Sequence, residues 1–259
     1  MIRHVGVVAL AAFILLPLVQ AIILSFTATL PTDTVAEGSL GLMNYRDILA
    51  TPELRAAMVN SLIYVLLNVA LCIAFGLPAA YALARYRFTG DRHFLLTMLV
   101  FRVTPPVVLS LPIFILFSKF GLVNSPVGIA LVHCLFNLPV AIWILESFIR
   151  AVPRAFDETA FLDGHTGPSF FFRHLIPQIA PGIGVAAFFC FIFSWVEVVF
   201  ARILTVTGGK PITMAIQAMF SFQTNIGMVM AMTCLSLVPG VAMIWFVRNH
   251  LAKGFTLRA

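Results

Sequence analysis

The chain has 259 residues, of which 61% are hydrophobic and only 10% are charged, with a formal net charge of +6. Soluble domains carry about 25% charged residues, and one soluble core of this size cannot bury so much apolar surface. These values exclude an ordinary soluble domain. They indicate a polytopic membrane protein of all-α class, because helices satisfy their own backbone hydrogen bonds within lipid.

Stretches of about 20 mainly apolar residues are long enough to cross a bilayer as helices. Six such stretches occur, and we predict six transmembrane helices within one domain, 1–259: Val5–Phe26, Met58–Tyr81, Phe94–Phe117, Val127–Phe148, Ile179–Leu204 and Ile226–Val247. The first stretch has little charge before it and no small-residue cleavage site after it. It therefore predicts a true span or an uncleaved anchor.

The positions of lysine and arginine predict the orientation, because cytoplasmic loops carry an excess of both. One set of segments holds ten of them: 1–4, 82–93, 149–178 and 248–259. The opposite set holds four: 27–57, 118–126 and 205–225. We therefore expect both termini in the cytoplasm, and we interpret loop 82–93, which contains Arg85, as a positive-inside anchor. The net charge is then a topology signal, and no basic patch interleaved with aromatic residues predicts a nucleic-acid partner.

Two local patterns predict structure around the second and third spans. Asn44 to Leu49 predicts a short interfacial helix before the second span. The third span contains Thr104-Pro105-Pro106, and proline removes a helical hydrogen bond and clashes with the preceding turn. Carbonyl groups freed within a membrane must be satisfied by neighbouring helices or a cavity. We expect this helix to be bent or unwound near Pro105 and packed inside the bundle.

Polar side chains at membrane depth are costly and often functional. With Pro105, the candidates for a solute pathway are Asn68, Arg102, His133, Asn137, Trp195, Glu197 and Arg202. For each of them, the alternative is an interhelical hydrogen bond or ion pair that only stabilises the bundle. His133 and Asn137 lie one turn apart and either line a polar cavity or bond to neighbouring helices. Glu197 and Arg202 are five residues apart, so they pair only through a bulge or a partner helix.

Motifs for catalysis and cofactor binding are missing from the sequence. The four cysteines fall within apolar stretches without a C-x-x-C pair, which is typical of small buried hydrophobic residues. There is no G-x-x-x-x-G-K-[ST] sequence, so we do not expect the chain to bind ATP by a P-loop. H-E-x-x-H and nucleophile-elbow motifs are also missing. We predict no enzyme activity, no cofactor and no metal site in this chain.

A polar and partly charged segment, 153–181, separates two long apolar stretches. It predicts two short helices with a hinge at Gly164, where glycine lets the chain reverse direction. Pro153 suits the first turn of the first helix. Pro168 is placed to begin the second helix, which we expect to end against Pro177 and Pro181, where the next span begins. A segment that stays in water between two spans predicts a docking loop.

This segment resembles the EAA loop in the membrane subunits of type I ABC importers. The usual pattern there is E-A-A-x-x-D-G-A, then a phenylalanine, then a proline near the next span. The matching positions here are Glu158, Ala160, Asp163, Gly164, Phe171 and Pro177. Thr159 and His165 stand where the family has alanine, and Gly167-Pro168 interrupts what is commonly a continuous helix.

The resemblance extends over nearly the whole chain and is to the MalG-like carbohydrate branch. Further matches are Asn44-Tyr45, Asn60-Ser61 and the tail Leu251-Ala252-Lys253-Gly254. It implies the six-helix type I importer fold in a bacterial inner membrane. Within the 150–178 coupling loop, it implies that Glu158 faces a cytosolic ATPase, that Gly164 forms the turn, and that Phe156, Ala160 and Phe161 pack the helix.

The resemblance also implies partners and a solute class. The partners are a second homologous permease subunit, two ATPase subunits that hold ATP and magnesium, an extracytoplasmic solute-binding protein and the lipid bilayer. The stretches 102–106 and 195–205 most resemble polyol- or glycerol-type members, so the expected solute is a carbohydrate or a small polyol.

Two other functions follow from the composition. An ion-coupled secondary transporter would use an intramembrane acid such as Glu197 and would carry inverted repeats, but none is evident between residues 1–120 and 130–259. A channel or a membrane enzyme is disfavoured because there is no catalytic cluster and because a docking loop is present.

Overall fold

A computed structural model describes residues 2–29, 38–87, 90–222 and 225–256. Within the predicted outer segment 27–57, residues 30–37 lie outside the described residues, and so does Arg258 in the basic tail. Within the described ranges the secondary structure is helical, apart from one isolated antiparallel bridge between Thr27 and Leu40. The all-α prediction is confirmed.

The helices of the described ranges follow one another along the chain, with a π-helical turn at Phe171–Leu175. They are α1 (Ile2–Ser25), α2 (Met43–Ala50), α3 (Pro52–Arg85), α4 (Asp91–Val103), α5 (Pro106–Lys119), α6 (Pro126–Ala151), α7 (Arg154–Leu162), α8 (Gly167–Phe170), α9 (Ile176–Gln178), α10 (Ala180–Trp195), α11 (Val199–Leu204), α12 (Ile212–Phe222) and α13 (Ile226–Thr256). The short helix predicted at residues 44–49 is α2.

Among the described residues, three helices are long and apolar enough to cross a membrane: α3, α6 and the Ile226–Arg248 part of α13. A fourth candidate joins Gly167–Gln178 to Ala180–Trp195 through a bend of 79°. Leu10–Ser25 and Pro106–Lys119 are shorter apolar helices. These helices make a multi-pass protein, whereas the number of six spans and the location of the termini stay predictions.

The third predicted span is interrupted at Thr104 and Pro105, between α4 and α5. Pro105 is extended, with φ −58° and ψ 125°, because the ring of a following proline disfavours helical backbone at the residue before it. The predicted break at Pro105 is confirmed. The expectation that this region is packed inside the bundle is wrong for this chain alone, since Val107 is 66% and Leu111 65% exposed. Apolar side chains here are compatible with lipid or a second chain.

The fifth predicted span, Ile179–Leu204, is interrupted near its end. The structure ends α10 at Trp195 and begins α11 at Val199. Val198 precedes α11 with non-helical angles, φ −128° and ψ −33°. The physical reason is the side chain of Glu197, whose contacts are described with the candidate site.

The chain divides into two compact units, each made of segments distant in sequence: Met1–Asn60 with Lys210–Val241, and Ser61–Gly209 with Ala242–Ala259. In the first unit, α2 is attached by the side chain of Asn44. Its amide nitrogen donates to the carbonyl oxygens of Ser25 and Thr27, each at 2.9 Å. Asn44 is 2% exposed, so these bonds fix α2 to the end of α1 and to the residues that follow it.

In the second unit, the core lies among α3, α6, α10 and the α7–α9 segment. Its most deeply buried members include Ala80, Leu145, Ile149 and Leu175. Helix α10 packs closely on α6, because a Cβ atom at Gly182 would lie 2.4 Å from Cγ of Phe148. Small residues allow such close approach between membrane helices. Gly182 is therefore required by the α6–α10 contact.

Replacing Gly182 with alanine is expected to destabilise the protein by about 1–3 kcal/mol, the usual cost of overpacking. The matched control is Gly184→Ala on the same helix, where a Cβ atom meets nothing within 4 Å. Thermal unfolding in detergent would measure both variants. Equal unfolding temperatures for the two would contradict the close-packing account.

Candidate functional site

Helix α7 begins after Pro153 and has two chemically different faces. Asp157 and Ala160 are buried, at 7% and 6% exposure. Glu158 is exposed, and Leu162 is 88% exposed at the end of the helix. One face therefore holds α7 against the helix bundle, and the other presents a carboxylate and an apolar side chain.

The turn after α7 is built around Gly164, as the sequence predicts. Gly164 has φ +83°, a left-handed conformation that favours glycine. Its N–H donates to the carbonyl of Phe161, and the N–H of His165 donates to the carbonyl of Ala160, both at 3.1 Å. These two bonds form a Schellman motif, which satisfies the carbonyl groups at a helix end. Asp163 caps the helix and is exposed.

The second part of the loop packs through one phenylalanine that sequence reasoning missed. Phe170 is 1% exposed. Its ring centroid lies 5.1 Å from that of Phe161, 6.0 Å from that of Tyr81 and 6.3 Å from that of Phe156. The predicted residue, Phe171, is partly buried and packs edge-on to Tyr81. The sequence has three consecutive phenylalanines, at 170–172, and it does not indicate which of them packs at the centre.

The segment after the turn leads into α10 through a sharp bend. Pro168 lies in the first turn of α8, as predicted. The second helical run ends at Gln178, between Pro177 in α9 and Pro181 in the first turn of α10, as the sequence predicts. The 79° bend follows at Ile179, which is 1% exposed.

Arg85 at the end of α3 forms a buried ion pair with Asp157 of α7. Nε and Nη2 of Arg85 donate to the two carboxylate oxygens at 2.7 and 3.0 Å, and Nη1 donates to the carbonyl of Val152 at 3.0 Å. The hydroxyl of Tyr81 donates to the same carboxylate at 3.1 Å. Arg85 is 8% exposed, so it makes a buried structural contact, and the interpretation of loop 82–93 as a positive-inside anchor stays a prediction. The carboxylate holds it inside the protein.

A second ion pair lies near the end of α6. Arg150 is paired with Glu146 one turn earlier on the same helix. Nη2 of Arg150 also donates to the carbonyl of Leu83 on α3, at a longer 3.4 Å. The Arg150 side chain is 56% exposed, whereas the Glu146 side chain is 9% exposed, so only the arginine of this pair faces water.

Glu197 organises the break between α10 and α11. Its carboxylate accepts hydrogen bonds from the N–H groups of Phe200, at 3.0 and 3.2 Å, and Ala201, at 3.1 Å. The first N–H groups of a helix have no partner within it, and this carboxylate supplies one. Nε2 of His133 lies 3.4 Å from the same carboxylate, and its Nδ1 lies 2.5 Å from Oγ of Ser194.

Asn68 and Asn137 form a separate buried polar cluster between helices. Asn137 donates to the side-chain oxygen of Asn68 at 3.0 Å. Asn68 donates to the carbonyl of Ala130 and to the sulfur of Cys134, both at 3.2 Å. The two asparagines are 0% and 2% exposed. His133 and Asn137 lie one turn apart on α6 but join different clusters.

The remaining pathway candidates make contacts of other kinds. The guanidinium of Arg102 lies 4.1 Å above the ring of Phe193, a cation–π contact. Trp195 is 8% exposed and stacks on Phe191 at 5.6 Å. Arg202 is exposed. In the described part of the chain, no three His, Cys, Asp or Glu residues are grouped to hold a metal ion.

Substituting Glu197 with alanine is expected to destabilise the protein by about 0.5–2 kcal/mol, the usual cost of losing a helix cap. Glu197→Gln keeps a carbonyl oxygen for the N–H groups of α11 and is expected to lose less. Thermal unfolding in detergent would measure the difference. A Gln variant as unstable as the Ala variant would contradict the capping role.

Residues 72–253, more than half of the chain, match the family described as binding-protein-dependent transport system inner membrane component. The trehalose transport system permease protein SugB of Mycobacterium tuberculosis is 29% identical, over 87% of this chain and 86% of that protein. The diacetylchitobiose uptake system permease protein DasC of Streptomyces coelicolor is 30% identical, over 77% and 73%.

Two further comparisons extend over nearly the whole chain. The trehalose/maltose transport system permease protein MalG of Thermococcus litoralis is 27% identical, over 98% of this chain and 94% of that protein. A bacterial ABC transporter involved in importing the acidic polysaccharide alginate shares the fold, with a TM-score of 0.78, 18% identity and coverage of 96% and 94%. The chain therefore belongs to the family of binding-protein-dependent transport system inner membrane components and is a multi-pass protein of the inner membrane.

Proposed function

We propose that this chain is the permease subunit of an ATP-driven importer that carries a carbohydrate or a small polyol by alternating access. The observation that carries the proposal is the two-faced helix α7, held on the bundle by Asp157 and exposing Glu158. Separate ATPase subunits dock on the 150–178 loop and hydrolyse ATP, and this chain has no catalytic site of its own.

The exposed face of α7 supports the docking role. Glu158 offers a carboxylate to a basic side chain of the ATPase, and Leu162 offers an apolar contact beside it. Phe156, Ala160 and Phe161 hold the helix from behind, through contacts with Phe170 and the core. A rigidly held surface transmits a displacement, whereas a loosely held loop absorbs it.

ATP drives transport only if it binds one global state better than another, since a ligand with equal affinity for both states shifts neither. In the proposed cycle, the ATPase subunits bind ATP and magnesium, close, and move α7 together with the helices attached to it. The solute site then faces opposite sides of the membrane in turn. A second homologous permease subunit and an extracytoplasmic solute-binding protein complete the importer.

The proposed solute class follows from the relatives. Their names refer to trehalose, maltose and diacetylchitobiose, and the structural neighbour imports alginate. All of these are glycosides, so a glycoside is favoured over glycerol for this chain. A small polyol, suggested by the stretches around Arg102 and Glu197, stays a prediction and is tested together with the glycosides.

The contacts of the pathway candidates favour different roles. Hydrogen bonds within the chain already engage the polar side-chain atoms of Asn68, Asn137 and Glu197. This favours a positioning role for these residues over direct contact with solute. Arg102 is half-buried beside the break at Pro105. Its guanidinium face lies on the Phe193 ring, and this contact does not use the N–H groups as hydrogen-bond donors. Within this proposal, Arg102 is the strongest candidate for direct contact.

Charge reversal at the docking face, Glu158→Lys, is expected to abolish transport and the co-purification of ATPase subunits while the protein still accumulates in the membrane. The matched control is Glu53→Lys, because Glu53 is also an exposed acid in a helix but lies at the opposite end of α3 from Arg85. Gly164→Pro, which cannot adopt φ +83°, is expected to have the same effect as Glu158→Lys. Normal uptake by both loop variants would refute docking at this loop.

The solute and the energy source are tested together in proteoliposomes that contain the permease pair, the ATPase subunits and the binding protein. A panel of trehalose, maltose, chitobiose, glycerol and sorbitol is expected to give ATP-dependent uptake of a glycoside. Selective uptake of glycerol or sorbitol would favour the polyol alternative. Uptake by this chain alone without ATP would support an ion-coupled secondary transporter instead.

A further inference from the structure

We propose that the Arg85–Asp157 ion pair is the positioning contact through which α7 and α3 move as one body. It would carry the displacement of the docked ATPase into a helix long enough to cross the membrane. The inference rests on the proposed function, since it assumes that an ATPase moves α7. It assigns to two residues, neither of which matches a position of the EAA pattern, a role in coupling ATP hydrolysis to transport.

The geometry of the pair suits a rigid connection. Both carboxylate oxygens of Asp157 are engaged, at 2.7 and 3.0 Å from two nitrogens of Arg85. Paired N–H donors on one carboxylate fix orientation as well as distance. The third guanidinium nitrogen holds the carbonyl of Val152, just before α7, and Tyr81 adds a fourth contact. Four hydrogen bonds therefore connect the end of α3 to α7 and the chain that enters it.

Burial makes this connection hard to break. Arg85 and Asp157 are 8% and 7% exposed, so water does not compete for their hydrogen bonds. Separating them would leave an uncompensated charge in a dry environment, which costs far more than losing an exposed pair. The pair is therefore expected to persist while α7 is pulled or pushed.

The two helices differ in what they supply. Helix α7 has nine residues, too few to be stable without tertiary contacts, so its position depends on what it is attached to. Helix α3 is a single helix of 34 residues ending at Arg85, and a continuous helix passes a displacement along its axis. A rigid contact at its last residue is thus placed to move the whole helix.

The nearby Arg150–Glu146 pair provides a comparison within the same unit. Its two members belong to one helix, α6, and the Arg150 side chain is 56% exposed. Losing this pair removes little from the connection between α7 and α3. Arg150→Gln also leaves a buried carboxylate, that of Glu146, without its charged partner, and it is a matched control because this pair does not join α3 to α7.

The experiment compares Asp157→Asn with Asp157→Glu in the complete importer, reconstituted with its ATPase subunits and binding protein. Asparagine keeps the size and loses the charge, whereas glutamate keeps the charge and adds one methylene. If the ion pair is the connection, Asp157→Asn lowers the solute transported per ATP by about tenfold or more, because an unpaired buried arginine no longer holds α7. Asp157→Glu keeps the charge pair and Arg150→Gln breaks a pair that lies within one helix, so both stay within about threefold of the parent if the α3–α7 connection is what matters.

Co-purification separates this inference from the proposed function. Asp157→Asn is expected to retain its ATPase subunits and ATP hydrolysis while losing transport, whereas Glu158→Lys is expected to lose the subunits themselves. Loss of the subunits from Asp157→Asn, or transport per ATP equal to that of the parent, would overturn the inference. Failure of the parent chain to retain any ATPase would instead overturn the proposed function.

A second variant keeps the test valid if Asp157→Asn does not accumulate in the membrane. Arg85→Lys retains the positive charge but offers a single nitrogen, which cannot engage both carboxylate oxygens and the Val152 carbonyl with the same geometry. It is expected to fold and to transport several-fold less solute per ATP than the parent. An unchanged ratio for Arg85→Lys would overturn the inference as well.

Discussion

The buried carboxylate of Asp157 is the constraint on which the candidate site depends. Successive residues in an α-helix point about 100° apart, so fixing Asp157 inward against Arg85 turns Glu158 outward. The same orientation places Ala160 on the core and leaves Leu162 at the surface. The exposed face of α7 thus lies opposite an ion pair that is itself hidden from any partner. Glu158 is accessible because its neighbour is not.

The breaks at Pro105 and at Glu197, each within a predicted span, have different chemical causes. At Pro105 the following proline forces extended backbone. Single prolines at 78, 139 and 239 lie inside continuous helices, so proline alone does not interrupt the chain here. At Glu197 the cause is a side chain that supplies hydrogen-bond acceptors for the next helix. Both breaks lie within stretches that the composition predicts to be single apolar spans.

Local features of the loop were predictable, and distant contacts were not. Gly164 and the two helices around it follow from residues within a few positions of each other, and the Schellman motif needs only those residues. Arg85 and Asp157 lie 72 positions apart. An arginine at the end of an apolar stretch is also what the positive-inside rule predicts, so nothing local distinguished a buried partner from a solvated anchor. The break at Glu197 was missed because a lone acid among apolar residues does not reveal which N–H groups it accepts from.

The distribution of polar contacts bears on where solute selectivity can reside. A group that already donates or accepts within the protein must give up that bond to contact a sugar, and an unsatisfied buried group is costly. Asn68 and Asn137 bond to each other, and Glu197 bonds to α11 and His133. Such groups fix the positions of the helices relative to one another, and this role does not depend on the solute. Under the proposed function, selectivity therefore lies with groups outside these clusters, such as Arg102, and with the second permease subunit and the binding protein.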